Sequence, residues 1–145
     1  RTVSHARLAA NRHLWLFNVD TQRLETFNLS NEQITGRSLP INGKLVQLET
    51  NFKKAWLLLS GSIKIYDWYA NQIKTIDGSF EKIKADNGHL IALSDKKRYL
   101  FAAKNKDFVA ITNIEEPDDS FYFKDQKLYI YCHKKLTIYR IVLKS

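Results

Sequence analysis

Methionine is absent from the chain, position 1 included, and cysteine occurs once, at Cys132. With no initiator, and with Arg1 starting against what reads as an apolar strand over residues 3–10, the recorded chain is expected to be a piece of something longer, whose upstream part is free to hold a signal peptide or transit segment. One cysteine excludes an internal disulfide. Cys132 follows the alternating aromatics of residues 128–131, where a small buried residue fits, and it is read as core filler. Long apolar runs are missing too: the longest uncharged one, residues 55–59, is far too short to cross a bilayer, so the covered chain carries no transmembrane segment. No apolar stripe at helical spacing is sustained between caps, which leaves an all-β reading.

The chain of 145 residues, 44% hydrophobic and 12% aromatic, has the matter for one packed domain. Strands show as period-2 alternation rich in β-branched and aromatic residues, as at Ile63, Ile65, Ile73 and Ile76. They come in doublets: residues 13–18 with 23–28, 62–67 with 72–77, 97–103 with 107–112, and a last copy at 134–141 without a partner after it. Leu16, Ile65, Leu100 and Ile138 mark the doublets, at spacings that bracket the ~40–50 residues of a four-stranded propeller blade. Tyr66, Phe101 and Tyr139 recur at equivalent places, as do Leu24, Ile73 and Phe108, as blades packed face on face require.

The fold expected is therefore part of a β-propeller of about three and a half blades in a single partial domain, residues 1–145. The blades fall near 1–29, 44–77, 79–112 and 119–141. Residues 30–43, with Asn31, Gly36, Ser38, Pro40, Asn42 and Gly43, read as a long loop that explains the wide first interval. On this alignment the first blade lacks its inner strand and the last its outer one. Natural propellers have ~4–8 blades, so the remainder of the same propeller is expected from sequence beyond this chain.

The run Leu14-Trp15-Leu16-Phe17-Asn18 then Arg23-Leu24-Glu25-Thr26-Phe27, and Ile63-Lys64-Ile65-Tyr66-Asp67 then Gln72-Ile73-Lys74-Thr75-Ile76, resembles the C-terminal half of a group of uncharacterised β-propeller proteins of Bacteroidetes cell envelopes. Lys127-Leu128-Tyr129-Ile130-Tyr131 with Leu136-Thr137-Ile138-Tyr139-Arg140-Ile141 is similar to their ending. The resemblance implies an exported protein of about twice this length, in the periplasm or cell envelope, with a propeller of unassigned role. Residues 44–67 are also similar to a blade of the citron-homology and WD-repeat propellers, which implies a cytoplasmic interaction platform; Gly88-His89 occurs once and Trp-Asp not at all.

Chemistry-bearing patterns are sparse. His5, His13, His89 and His133 have no metal-type spacing to one another, to Cys132 or to paired carboxylates, and read as exposed or singly hydrogen-bonded. Ser60-Gly61-Ser62 lacks the second glycine and the helix of a nucleophile elbow and reads as a tight turn. Asp77-Gly78 and Asn87-Gly88 are turn signals as well. The carboxylates Glu115, Glu116, Asp118 and Asp119 around Pro117 read as an acidic solvated loop, without a calcium ligand pattern. No catalytic residue, metal site or cofactor is expected.

The net charge of +8 raises nucleic-acid attachment. Its lysines sit at strand ends and turns, on both rims of the expected ring, where they keep sheet edges soluble, so nucleic acid ranks last. Trp15 and Trp56 fall inside strands and read as packed between blades, whereas Trp68 and Tyr69 follow a strand end and read as a contact patch. With Lys96, Lys97, Arg98, Lys134 and Lys135 on two turns they make up the expected contact with a protein partner. The leading expectation is a non-enzymatic scaffold for protein–protein interaction, within a larger cell-envelope assembly. The alternative is a glycan-binding or enzymatic envelope propeller with its site mainly outside this chain, to which Gln47, Glu49, Lys82, Lys84, Tyr122 and Lys124 add polar groups at a central channel.

Overall fold

In the computed structural model, residues 2–51, 53–95, 98–103, 106–111, 114 and 120–142 are described. Among them there is no α-helix, and a single 3-10 turn, Ala10–Arg12, interrupts the strands. The chain divides into two compact units, Arg1–Ser79 and Phe80–Ser145.

The first unit holds two four-stranded antiparallel sheets. Sheet 1 runs β1 (Val3–Ala9), β2 (His13–Asn18), β3 (Arg23–Asn28) and β4 (Gln33–Arg37), and sheet 2 runs β5 (Leu45–Asn51), β6 (Lys54–Leu59), β7 (Ser62–Tyr66) and β8 (Gln72–Asp77). The second unit holds sheet 3, with β9 (Lys82–Asp86), β10 (His89–Ser94), β11 (Arg98–Ala103) and the short β12 (Val109–Ala110), and sheet 4, with β13 (Ser120–Lys124), β14 (Lys127–Cys132) and β15 (Lys135–Arg140). Strands bond in sequence order within each sheet, the meander of a propeller blade. The fold is all-β and part of a β-propeller, with three four-stranded blades and one of three strands among the described residues.

Several hairpins close through two residues of positive φ, the mirror-image turn whose twist suits the flanking strands. Asn87 and Gly88 (φ 49° and 81°) join β9 to β10 in this way. Asp125 and Gln126 (φ 53° and 61°) do so between β13 and β14, and His133 and Lys134 (φ 51° and 62°) between β14 and β15. Ser60 and Gly61 form the turn joining β6 to β7, and Ser62 opens β7.

One element corrects the sequence analysis. Residues 33–37, expected inside a long loop, form β4 and pair with β3 through a bulge at Thr26 and Phe27. Gly36 and the turn formers around it suggest loop, but an outer strand of a blade needs only one bonded edge and tolerates both. Sheet 1 is thus complete from β1 to β4, and its doublet β2–β3 is the second and third strand of its blade, not the third and fourth. The long first spacing is a mismatch of one strand.

Each sheet has two faces, named here from the pair in the first unit: the trailing face is the one sheet 1 turns to sheet 2, and the leading face is the one sheet 2 turns back. In that unit, Trp15, Phe17 and Leu24 on the trailing face of sheet 1 share a core with Leu45, Leu48, Ala55, Leu57, Leu59 and Tyr66 on the leading face of sheet 2. In the second, Ile91, Leu93, Tyr99 and Phe101 trail on sheet 3 against Phe121, Phe123, Leu128, Ile130 and Cys132, which lead on sheet 4. Tyr99 meets Phe121 edge to face at 5.6 Å, and Phe101 meets Phe123 at 6.3 Å. Cys132 is buried in that core, as expected of a small filler. Burying each of these leucines contributes about 1.5–3 kcal/mol relative to exposure.

Candidate functional site

The expected aromatic contact, Trp68 and Tyr69, lies in the loop 67–71 between β7 and β8 of the first unit. Asp67 organises this loop. Its Oδ1 accepts the backbone N–H of Tyr69 and of Asn71, each at 2.9 Å, and its Oδ2 accepts from Asn71 Nδ2 at 3.3 Å. The Asp67 N–H donates to the Asn71 carbonyl at 2.9 Å, and the Ala70 N–H donates to the Asp67 carbonyl at 3.0 Å. An aspartate that binds backbone two and four residues on sets such a turn, and it lets Ala70 take its positive φ of 65°. Ala70 is buried in the core beneath.

The two aromatics part company at this point. Trp68 is half-buried, packed on the core of the first unit and stacked on His13 at a ring-centroid distance of 3.6 Å, with Trp15 edge-on at 6.3 Å. Tyr69 is 58% exposed. Its backbone carbonyl lies against Gly36 of β4, so close that a Cβ at position 36 would collide with it. Trp68 anchors the loop, and Tyr69 is the side chain the loop presents.

His13 departs from the expectation of an exposed or hydrogen-bonded histidine. It is 3% exposed, and its Nε2 has no hydrogen-bond partner. Burial lowers its pKa from the usual 6.5, which keeps the ring neutral between the two tryptophans. Trp15 Nε1 is likewise buried and unpartnered. Burial also pushes the Tyr66 phenol up to about 12. Neither His13 nor Gly36 stood out in the sequence. The signal for His13 was its place two residues before Trp15 and four before Phe17, on one strand face.

A second polar feature of sheet 1 was also unforeseen. The Glu25 carboxylate is 2% exposed, and it accepts from Arg37 Nε at 3.0 Å and from Asn18 Nδ2 at 3.2 Å. Arg37 comes from β4, the strand the sequence hid.

The basic half of the expected contact belongs to the second unit. Arg98 opens β11, and Lys134 and Lys135 lie at the turn from β14 to β15; all three are exposed. These turns join the second and third strands of their blades, so the three cations occupy equivalent ends of sheets 3 and 4. Lys96 and Lys97 lie outside the described residues, as do Glu115, Glu116, Asp118 and Asp119. Of the groups expected at a channel, Gln47 Nε2 donates to Glu49 Oε1 at 2.6 Å on β5. Lys82 and Lys84 lie on β9 and Tyr122 and Lys124 on β13, the first strands of their sheets. Among the described residues no three His, Cys, Asp or Glu side chains converge as metal ligands, and no helix is long and apolar enough to cross a membrane.

No family model and no curated protein matches the sequence. Solved structures do match in fold. The chain is similar to Hsv2 of Kluyveromyces lactis, at 11% identity and a TM-score of 0.76 over 95% of this chain and 48% of that one. It is similar to the computationally designed Ika4 protein, at 7% identity and 0.73 over 97% of this chain and 92% of that one. It is similar also to YCF48, solved bound to a D1 peptide, at 10% identity and 0.66 over 95% and 50%. At such identities the likeness shows the β-propeller fold and nothing finer. The chain spans about half the length of Hsv2 and of YCF48. The resemblance read from the sequence therefore holds for the propeller, while no sequence relative supports a Bacteroidetes envelope origin.

Proposed function

We propose that the chain is a non-enzymatic propeller module that presents a rigid aromatic loop to a protein partner. The observation that carries the reading is the loop 67–71, pinned by the Asp67 hydrogen bonds and the Trp68–His13 stack, with Tyr69 58% exposed at its tip. A pre-ordered tyrosine binds at little cost in conformational entropy, and tyrosine is enriched among the residues that dominate interface energetics. YCF48, of the same fold, is a protein solved with a peptide bound, which supports a protein partner here. Arg98, Lys134 and Lys135 favour acidic segments of such a partner. A place in the cell envelope belongs to the same proposal, on the sequence resemblance alone, and fractionation of the native host tests it.

The direct test is quantitative affinity capture with the wild-type chain and a Tyr69→Ala variant as paired baits. A central tyrosine contributes about 2 kcal/mol or more to binding, roughly 30-fold in affinity. A partner retained by the wild type and lost with Tyr69→Ala supports the proposal. Equal recovery by both baits, or recovery by neither, counts against it.

A further inference from the structure

The trailing face of sheet 4 carries an exposed apolar patch beside a row of cations. The strand register places its outward side chains in three rows: Ser120, Tyr131 and Leu136; Tyr122, Tyr129 and Ile138; Lys124, Lys127 and Arg140. Tyr122 is 55% exposed, Tyr131 47%, Leu136 56% and Ile138 55%. These four alone leave on the order of 300 Å² of apolar surface in one patch, the size of the largest patch on an ordinary monomer, which is often functional. At the other extreme of the sequence, the leading face of sheet 1 carries Leu8, Leu14, Phe27 and Ile34 in one row and Ala6 and Leu16 beside Glu25 and Arg37 in the next. Leu8 is 66% exposed.

The two faces have the chemistry of the pairs that already pack inside each unit. Trailing faces present aromatics from the second and third strands, Trp15 and Phe17 on sheet 1 and Tyr99 and Phe101 on sheet 3. The second strands of the leading faces they meet are aliphatic or small: Ala55, Leu57 and Leu59 on β6, and Leu128, Ile130 and Cys132 on β14. Sheet 4 repeats the trailing pattern with Tyr129 and Tyr131. Sheet 1 repeats the leading one with Leu14 and Leu16, next to Ala6 and Leu8.

We propose that the tyrosine-rich trailing face of sheet 4 docks on the leucine-rich leading face of sheet 1 in a second copy of this chain. The contact is head-to-tail, and the proposed pair uses it twice. Two copies together bring eight sheets, within the range of natural propellers. Apolar burial drives the association. The one carboxylate on the receiving face, Glu25, is already bonded to Arg37, and two chains of +8 repel. Added salt therefore strengthens the pair by screening, the opposite of what an acidic ligand of the Lys124, Lys127 and Arg140 row would show. The proposal rests on blade packing and not on the loop reading, so Tyr69→Ala leaves it untouched.

Light scattering with size-exclusion chromatography tests it, on the wild type and on Leu8→Asp and Ile138→Lys. Both positions are more than half exposed, and far-ultraviolet circular dichroism checks that each variant keeps its fold. The expected result is a wild-type mass of twice 17.0 kDa that persists at higher salt, with each variant alone reduced to monomer. Mixing the two variants restores the pair, because one intact contact forms and the other sets the introduced ammonium of one copy against the introduced carboxylate of its mate. A wild-type monomer at every concentration overturns the proposal, as does a pair indifferent to both substitutions. Salt-weakened binding of an acidic peptide to a chain that stays monomeric also overturns it.

Discussion

Replacing Gly36 by alanine adds one methyl group to an exposed edge strand, a change that elsewhere in a sheet is neutral or helpful. With no strained φ to relieve, the loss of glycine's freedom in the unfolded chain alone stabilises by about 0.4–1 kcal/mol. Position 36 is different because the new Cβ would run into the backbone carbonyl of Tyr69. A backbone atom cannot rotate away as a flexible side chain does. Either β4 lifts from β3, where Thr26 Oγ1 bonds Thr35 Oγ1 at 2.8 Å, or the loop 67–71 shifts and strains the Asp67 bonds and the Trp68–His13 stack. Overpacking of this kind costs about 1–3 kcal/mol, which outweighs the entropic gain and leaves a net loss of about 1–2 kcal/mol. For a chain of this size that lowers the melting temperature by about 3–8 °C. The assay is thermal unfolding by circular dichroism, read beside tryptophan fluorescence, which reports the Trp68 environment. A Gly36→Ala variant that melts at or above the wild type with an unchanged spectrum refutes both the close approach and the place of β4 in the sheet.

His13 sets a pH dependence of definite sign. Its pKa is lowered by burial in the folded chain, so below the unfolded value of 6.5 the unfolded chain takes up a proton that the folded chain resists. Stability is complete above about pH 6.5 and falls as the pH drops through and below that value; denaturant titrations at pH 7.5 and 5 read the difference, and His13→Phe, which keeps a flat ring against Trp68, flattens that part of the slope. Leu57 is fully buried opposite Leu48, so Leu57→Ala costs about 2–5 kcal/mol in the same titration, and a loss under about 1 kcal/mol contradicts the packing of sheet 1 on sheet 2.

The blade repeat was legible because a strand buried on one side writes its register in alternate residues, and because apolar strands recur at blade spacing. β7 and β14 show the alternation, whereas β6 and β10, buried on both faces, show as continuous apolar runs. The weak outer strand was not legible. In β4 only Ile34 and Thr35 are strand formers, and Gly36 is kept by the approach of another backbone, a tertiary fact with no local trace. With that strand unseen, the doublets aligned one strand out of step. The turns split along the same line. Asn87-Gly88 advertised its positive φ through glycine, whereas Asp125-Gln126 and His133-Lys134 take the same turn with residues that give little notice of it.

At the candidate site, composition located the loop and could not assign its roles. Trp68 and Tyr69 are both large aromatics beyond a strand end, and nothing in their order says which one is buried. Asp67 decides it: by accepting the N–H groups of Tyr69 and Asn71 it curls the loop so that residue 68 falls back onto sheet 1 and residue 69 points away. The surface on which Trp68 lands is His13, held on the same strand face as Trp15 and lacking a partner at Nε2, a polar ring used as a flat packing plate. A histidine in that position has little reason to be there for hydrogen bonding. Its stacking area holds the indole and so sets how rigidly Tyr69 is offered, which makes the order of that loop depend on the same buried imidazole whose lowered pKa predicts a loss of stability in acid.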